Sequence, residues 1–270
     1  MALSFEISIK GDELTMISIV REQLGDIPFL HVSEQSIMNQ DNQQTVFFYH
    51  GLTSAKDQNL HIAYHLASKG FRVILPDALH HGEREANITG FNRTLMLWEI
   101  VMTSISELEG LKNHLVSRGL SDPNRIGVAG TSMGGITTYG ALSQYQWIHT
   151  AVSLMGSAYY EHFAMLQIDQ LKKQGLPIPD EEVNATLISL KPFDLSTQLH
   201  ALNGRPLMIW HGEKDQVVPS SYSTTLYNEL LSDYKSFPDR LALYTEKHTE
   251  HVLSRTAFFQ LTDWFSTHLK

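Results

Sequence analysis

With 270 residues and 42% apolar side chains, the chain can bury one large core, which excludes a disordered protein. The absence of cysteine excludes disulfides, thiolate metal ligands and a cysteine nucleophile. A formal net charge of −9 argues against a nucleic-acid partner.

Residues 1–10 alternate Phe5, Ile7 and Ile9 with polar residues and lack the basic start and apolar block of a signal peptide. No apolar run of about 18 residues follows, so neither a membrane span nor a membrane partner is expected, and a cytoplasmic location is. Residues 1 to about 13 read as an extra strand or a tail. Leu14–Val20 and Ile27–Val32 read as an antiparallel hairpin around Gly25-Asp26. Thr45–Tyr49 is apolar on both faces, as a central parallel strand must be. A helix is expected over Ala55–Ser68, then a strand over Phe71–Leu75 and a loop over Ala78–Ala86. From Phe91 onward, Leu95, Trp98, Met102, Ile105, Leu108, Leu111 and Leu115 keep helical spacing in one long amphipathic helix.

Arg125–Ala129 then forms a short buried strand that runs into Gly130-Thr131-Ser132-Met133-Gly134, and a helix begins near Ile136. Strand, Gly-x-Ser-x-Gly, helix is a nucleophile elbow: a turn so tight that its flanking positions must be glycine. Ile148–Met155 is the next strand. The alternation breaks over residues 156–203, which read as two or three short helices inserted as a cap. It resumes with a strand at Pro206–Trp210, a helix at Ser220–Leu231, a strand at Arg240–Thr245 and a terminal helix at Val252–Leu269. Alternating strands and helices predict a single α/β domain over residues 1–270, its mostly parallel sheet flanked by helices and carrying the cap at 156–203.

A serine hydroxyl attacks only when a base takes its proton, and the base needs a carboxylate to hold its tautomer. Past the strand that follows the cap, His211-Gly212-Glu213-Lys214-Asp215-Gln216-Val217-Val218-Pro219 offers the acid. Asp215 is chosen, with Glu213 as the alternative. Between the last strand and the last helix stand His248 and His251. His251 is chosen because it directly precedes the helix; with 14 histidines in the chain, position must decide. A tetrahedral intermediate also needs two backbone N–H donors, expected at Met133 and Leu52. His80-His81-Gly82-Glu83-Arg84 lacks the spacing of a helical metal site, so no metal is expected there. It reads as a loop braced by Glu83 and Arg84 beside the site. Tyr159, Tyr160, Phe163 and Met165 are candidates to line a substrate pocket from the cap.

Four blocks carry a family resemblance. They are Phe47-Phe48-Tyr49-His50-Gly51-Leu52-Thr53-Ser54-Ala55-Lys56, Leu75-Pro76-Asp77-Ala78-Leu79-His80-His81-Gly82-Glu83-Arg84, Gly127-Val128-Ala129-Gly130-Thr131-Ser132-Met133-Gly134-Gly135-Ile136-Thr137-Thr138, and Trp210-His211-Gly212-Glu213-Lys214-Asp215-Gln216-Val217-Val218-Pro219. The chain resembles the α/β-hydrolase superfamily over nearly its whole length. Within it, the chain is similar to the small bacterial serine esterases of the dienelactone-hydrolase-like group. The resemblance implies a Ser132–Asp215–His251 triad that hydrolyses small, short-chain carboxylic esters through an acyl-enzyme, without a cofactor. Dienelactone hydrolases themselves use a cysteine nucleophile, so their particular activity is not implied. The resemblance leaves three other activities open: an acyl-CoA thioesterase or acyltransferase, an oligopeptidase-type hydrolase, and a binding protein of the same fold without turnover. The acidic run Asp180-Glu181-Glu182 weighs against CoA, and the length of the chain against the extra domain usual in oligopeptidases. Oligomeric state stays open.

Overall fold

The computed structural model describes residues 3–10, 13–86, 88 and 90–270; expectations for positions 1, 2, 11, 12, 87 and 89 lie outside the described residues. Among the described residues one nine-stranded sheet has the order β1-β2-β3-β5-β4-β6-β7-β8-β9. Its strands are β1 (Leu3–Lys10), β2 (Glu13–Leu24), β3 (Ile27–Glu34), β4 (Gln43–Tyr49), β5 (Arg72–Pro76), β6 (Ser121–Thr131), β7 (Thr150–Leu154), β8 (Leu207–Gly212) and β9 (Leu241–Glu246). The segment read as strand or tail is thus a strand, paired antiparallel with β2. The expected hairpin closes at Leu24↔Ile27, and β3 pairs antiparallel with β5. Every pairing from β5 through β9 is parallel.

A parallel sheet must be covered on both faces, and the alternation along β4 shows how this is done. Phe47 and Tyr49 face a core shared with Ile105 and Leu108 of α3 (Leu97–Ser117), Ile136 and Tyr139 of α4 (Met133–Gln144) and Leu226 of α7 (Ser221–Leu230). Val46 and Phe48 face the opposite core, with Ile62 and Leu66 of α1 (Leu60–Ala67) and Leu261 and Phe265 of α8 (Arg255–His268).

Two helices differ from their expected extents. The helix read over Ala55–Ser68 begins as a 3-10 turn at Lys56–Asn59 and becomes α1 only at Leu60. Lys56 is tied to Asp77 through both its backbone N–H and its ammonium, which holds that first turn to the neighbouring strand end. The long helix expected from Phe91 is divided at Met96 into α2 (Gly90–Leu95) and α3. Leu95 therefore leaves the apolar face of α3 and is exposed. Residues 156–203 hold α5 (Tyr160–Lys173), α6 (Asp180–Leu190) and three 3-10 turns between β7 and β8. Among the described residues no helix is long and apolar enough to cross a membrane.

Because β4, β6, β8 and β9 are parallel, their carboxyl ends share one edge of the sheet. The chain segments that leave them carry Leu52, Ser132, Asp215 and His251 respectively.

Candidate active site

Ser132 joins β6 directly to α4 with φ 54° and ψ −114°, a left-handed conformation that side chains avoid. Such a residue costs about 1–3 kcal/mol and persists only where its surroundings over-determine it. Here the surroundings are backbone. A Cβ on Gly134 would lie 2.0 Å from the Tyr49 carbonyl oxygen, and one on Gly130 would lie 2.4 Å from the Gly134 carbonyl. The two glycines let β4, β6 and α4 close on one another and turn the serine outward.

His251 Nε2 is 2.7 Å from Ser132 Oγ, and His251 Nδ1 is 2.6 Å from Asp215 Oδ2. A carboxylate only accepts, so Nδ1 carries the proton and Nε2 is free to accept from the serine. His248, the competing histidine, is exposed, as is Glu213, which accepts a hydrogen bond from Thr245.

Asp215 is buried, and burial by itself would raise its pKa. Hydrogen bonds from His211, His251 and the Val218 N–H outweigh that and hold the carboxyl well below the usual carboxylate range. Oδ1 accepts from the N–H groups of Val217 and Val218 at 2.8 and 2.9 Å. His211, to which the sequence assigns no role, is fully buried on β8. Its Nε2 lies 2.9 Å from the Val218 carbonyl and 3.2 Å from Asp215 Oδ2, and its Nδ1 lies 2.7 Å from Ser223 Oγ. Since a carbonyl only accepts, Nε2 carries the proton and Ser223 donates to Nδ1. The one sequence signal for this role is the four-residue spacing from His211 to Asp215 across a loop.

The loop after β4 is held by two further buried histidines. His50 Nε2 accepts from the Ala78 N–H at 3.1 Å, so its Nδ1 donates to the Gly51 carbonyl at 2.8 Å. Burial pushes the His50 pKa down to about 4, which keeps that neutral tautomer. His81 Nε2 contacts the Leu52 carbonyl at 2.6 Å and its Nδ1 the Leu79 carbonyl at 2.8 Å. The donated bond from His50 therefore fixes the Gly51 carbonyl, and a His81 ring nitrogen lies against that of Leu52, in the segment read as an N–H donor. Gly51 itself lies against Ser132: a Cβ there would be 3.6 Å from the serine Cβ.

The His80–Arg84 segment is braced as expected from its charges. Glu83 pairs with Arg21 at 2.5 Å and Lys56 at 2.8 Å, and Arg84 pairs with Glu107 at 2.7 Å. Asp77, fully buried, accepts from Lys56 Nζ and from the Glu83 N–H. His80 is half-buried with φ 62°.

A cavity of about 700 Å³ opens on Ser132 and His251. Leu52, Met133, Ile136, Met155, Phe163 and Leu253 contribute to its wall. Of the four aromatic and methionine candidates only Phe163 lines it. Tyr160 is fully buried, with its hydroxyl donating to the Ile136 carbonyl at 2.5 Å and its ring 5.0 Å from that of Trp98. Tyr159 precedes α5, stacks on Tyr222 and donates to Glu229 at 2.6 Å. Met165, two residues beyond Phe163, stands on the opposite side of the helix and is exposed. A run of apolar residues does not tell a cavity wall from the packing behind it.

Residues 104–270 match the prolyl oligopeptidase family. The chain is 45% identical over 260 residues to YitV of Bacillus subtilis (strain 168), provisionally named an esterase, spanning 94% of this chain and 100% of that protein. It is 32% identical over 216 residues to the esterase YjfP of Escherichia coli (strain K12), spanning 80% and 85% of the two chains. Among solved structures, TT1662 from Thermus thermophilus superposes with a TM-score of 0.74 over 94% of this chain and 98% of that one. At 19% identity that likeness concerns the fold alone.

Proposed function

The chain belongs to the prolyl oligopeptidase family within the α/β-hydrolases, and from that premise we propose that it is a serine carboxylesterase acting on small esters with short acyl chains. The observation that carries this reading is the 2.7 Å approach of His251 Nε2 to Ser132 Oγ, with Asp215 behind the imidazole at 2.6 Å. His251 takes the serine proton as Oγ attacks the ester carbonyl. The negative charge that forms on the carbonyl oxygen is met by the N–H groups of Met133 and Leu52. Collapse expels the alcohol oxygen, which takes the proton from His251, and the acyl group stays on Ser132. Water then repeats the sequence: His251 removes its proton, its oxygen attacks the acyl-enzyme, and the proton returns to Ser132 as the acid leaves. No cofactor enters these steps. Residues 156–203 act as a cap that contributes Phe163 to the wall of the ester pocket.

The family name speaks for peptide amides, whereas YjfP, similar over most of both chains, is named an esterase. A panel of p-nitrophenyl acetate, a thioester and a matched anilide separates these chemistries. Ester turnover well above amide turnover is expected. Ser132→Ala should abolish it and His251→Ala should lower kcat by about 10³-fold or more, while His248→Ala leaves it within about twofold. Faster cleavage of the anilide, or activity that survives His251→Ala but not His248→Ala, refutes the assignment.

A further inference from the structure

A second cavity, of about 620 Å³, adjoins the one at Ser132, and the two share Thr94, Gln167 and Val217 as lining. Its walls come from α2, α3, α5, α6 and the connection between the last two, and they include Trp98, Ile168, Leu171, Ile178 and Val183. Gln167 is fixed at the junction, because Trp98 Nε1 donates to its Oε1 at 3.0 Å. Leu95 and Val217 also line this cavity yet keep 43% and 59% of their surface exposed. Apolar side chains left open around a continuous hollow suit a ligand that covers them.

We infer that the second cavity is a subsite for an apolar alkyl or aryl group on the alcohol side of the ester. The inference rests on the esterase reading above: with a short acyl group at Ser132, the part of the substrate long enough to pass Gln167 is the alcohol. The position of one wall agrees. Gln216 and Val217 line the second cavity and belong to the loop of Asp215, whose Oδ1 accepts from the Val217 N–H. That loop stands on the side of His251, and the departing alcohol oxygen must face His251 Nε2 to take its proton. Once the acyl-enzyme forms, the alcohol leaves the subsite, so the subsite promotes acylation and leaves deacylation alone.

The test uses two ester series: acetates of ethanol, butanol, hexanol and octanol, and ethyl esters from acetate to octanoate. In the unaltered protein kcat/KM should rise along the alcohol series, by at most about fourfold for each methylene that enters the cavity. Octanol should also compete with ethyl acetate roughly a hundredfold better than butanol does, the amount of its four further methylenes. Thr186→Trp on α6 and Ile168→Phe on α5 each intrude on the second cavity and not the first. Either should lower the ratio of kcat/KM for octyl over ethyl acetate by about tenfold, the amount of two methylenes turned away. Using a ratio removes any loss of folded protein from the comparison. A flat alcohol series, or a ratio untouched by both variants, overturns the subsite, and a rise confined to the acyl series overturns its assignment to the alcohol. Failure to cleave any acetate would instead bring down the esterase reading itself.

Discussion

His211 Nε2 lies 3.2 Å from Asp215 Oδ2, the same oxygen that approaches His251 Nδ1 at 2.6 Å. The buried carboxylate thus answers to two imidazoles, one of which also reaches Ser132. Hydrogen bonds to a charged group contribute about 1.5–3 kcal/mol. Removing His211 raises the Asp215 pKa, and a more basic carboxylate holds a proton on His251 more firmly. His211→Leu should therefore shift the acidic limb of the kcat/KM profile to higher pH and lower kcat about tenfold with KM little changed. His211→Gln, which keeps an N–H on that side chain, should recover part of the loss. An unmoved pH limb in His211→Leu would show that the two histidines act independently.

Ser132 is held at φ 54°, so its conformation costs stability for the sake of exposing a hydroxyl. Glycine carries no such cost, whereas alanine retains it. Ser132→Gly should unfold at higher denaturant concentration than Ser132→Ala, by about 1 kcal/mol, with both inactive. Equal stabilities would mean that the turn is not strained.

Burial lowers the His50 pKa from 6.5 to about 4. Between those values the unfolded chain holds a proton that the folded chain does not. The stability contributed by neutral His50 is therefore complete above pH 6.5 and is lost as the pH falls through about 4. The loss amounts to roughly 3 kcal/mol. Burial shifts His81 and His31 in the same direction. Denaturant midpoints taken at pH 7 and pH 4 should differ less in His50→Asn than in the unaltered protein. An equal pH dependence in both would exclude His50 as a source of the slope.

A Cβ on Gly134 would meet the Tyr49 carbonyl oxygen at 2.0 Å, and neither partner is a flexible side-chain end. Gly134→Ala must push α4 away from β4 at the point where Ser132 is presented. It should cost about 3 kcal/mol or more in urea unfolding and take ester turnover with it. A variant that is both stable and active would contradict the tight packing of the elbow.

Most of the strand and helix order could be read from the chain, because central parallel strands are uninterrupted apolar runs and their covering helices show a 3.6-residue rhythm. The breaks were hidden. The 3-10 turn at Lys56 goes with contacts to Asp77, 21 residues away, and the split at Met96 interrupts an apolar rhythm that runs through it unbroken in the sequence. The same limit applies to Tyr159 and Tyr160, whose apolar character suited a pocket equally well but whose hydroxyls are committed to Glu229 and Ile136.

The elbow and the serine–acid–histidine order were determined by the sequence alone. Gly-x-Ser-x-Gly between strand and helix is a local steric solution, and its chemistry can be read within a few residues. Only the tertiary structure decided which imidazole meets Ser132, that His211 shares the carboxylate, that His50 holds the Gly51 carbonyl and that His81 lies against the Leu52 carbonyl. The physical reason is distance along the chain: His251 comes 119 residues after Ser132, and a hydrogen bond depends on where the sheet brings its strand ends together.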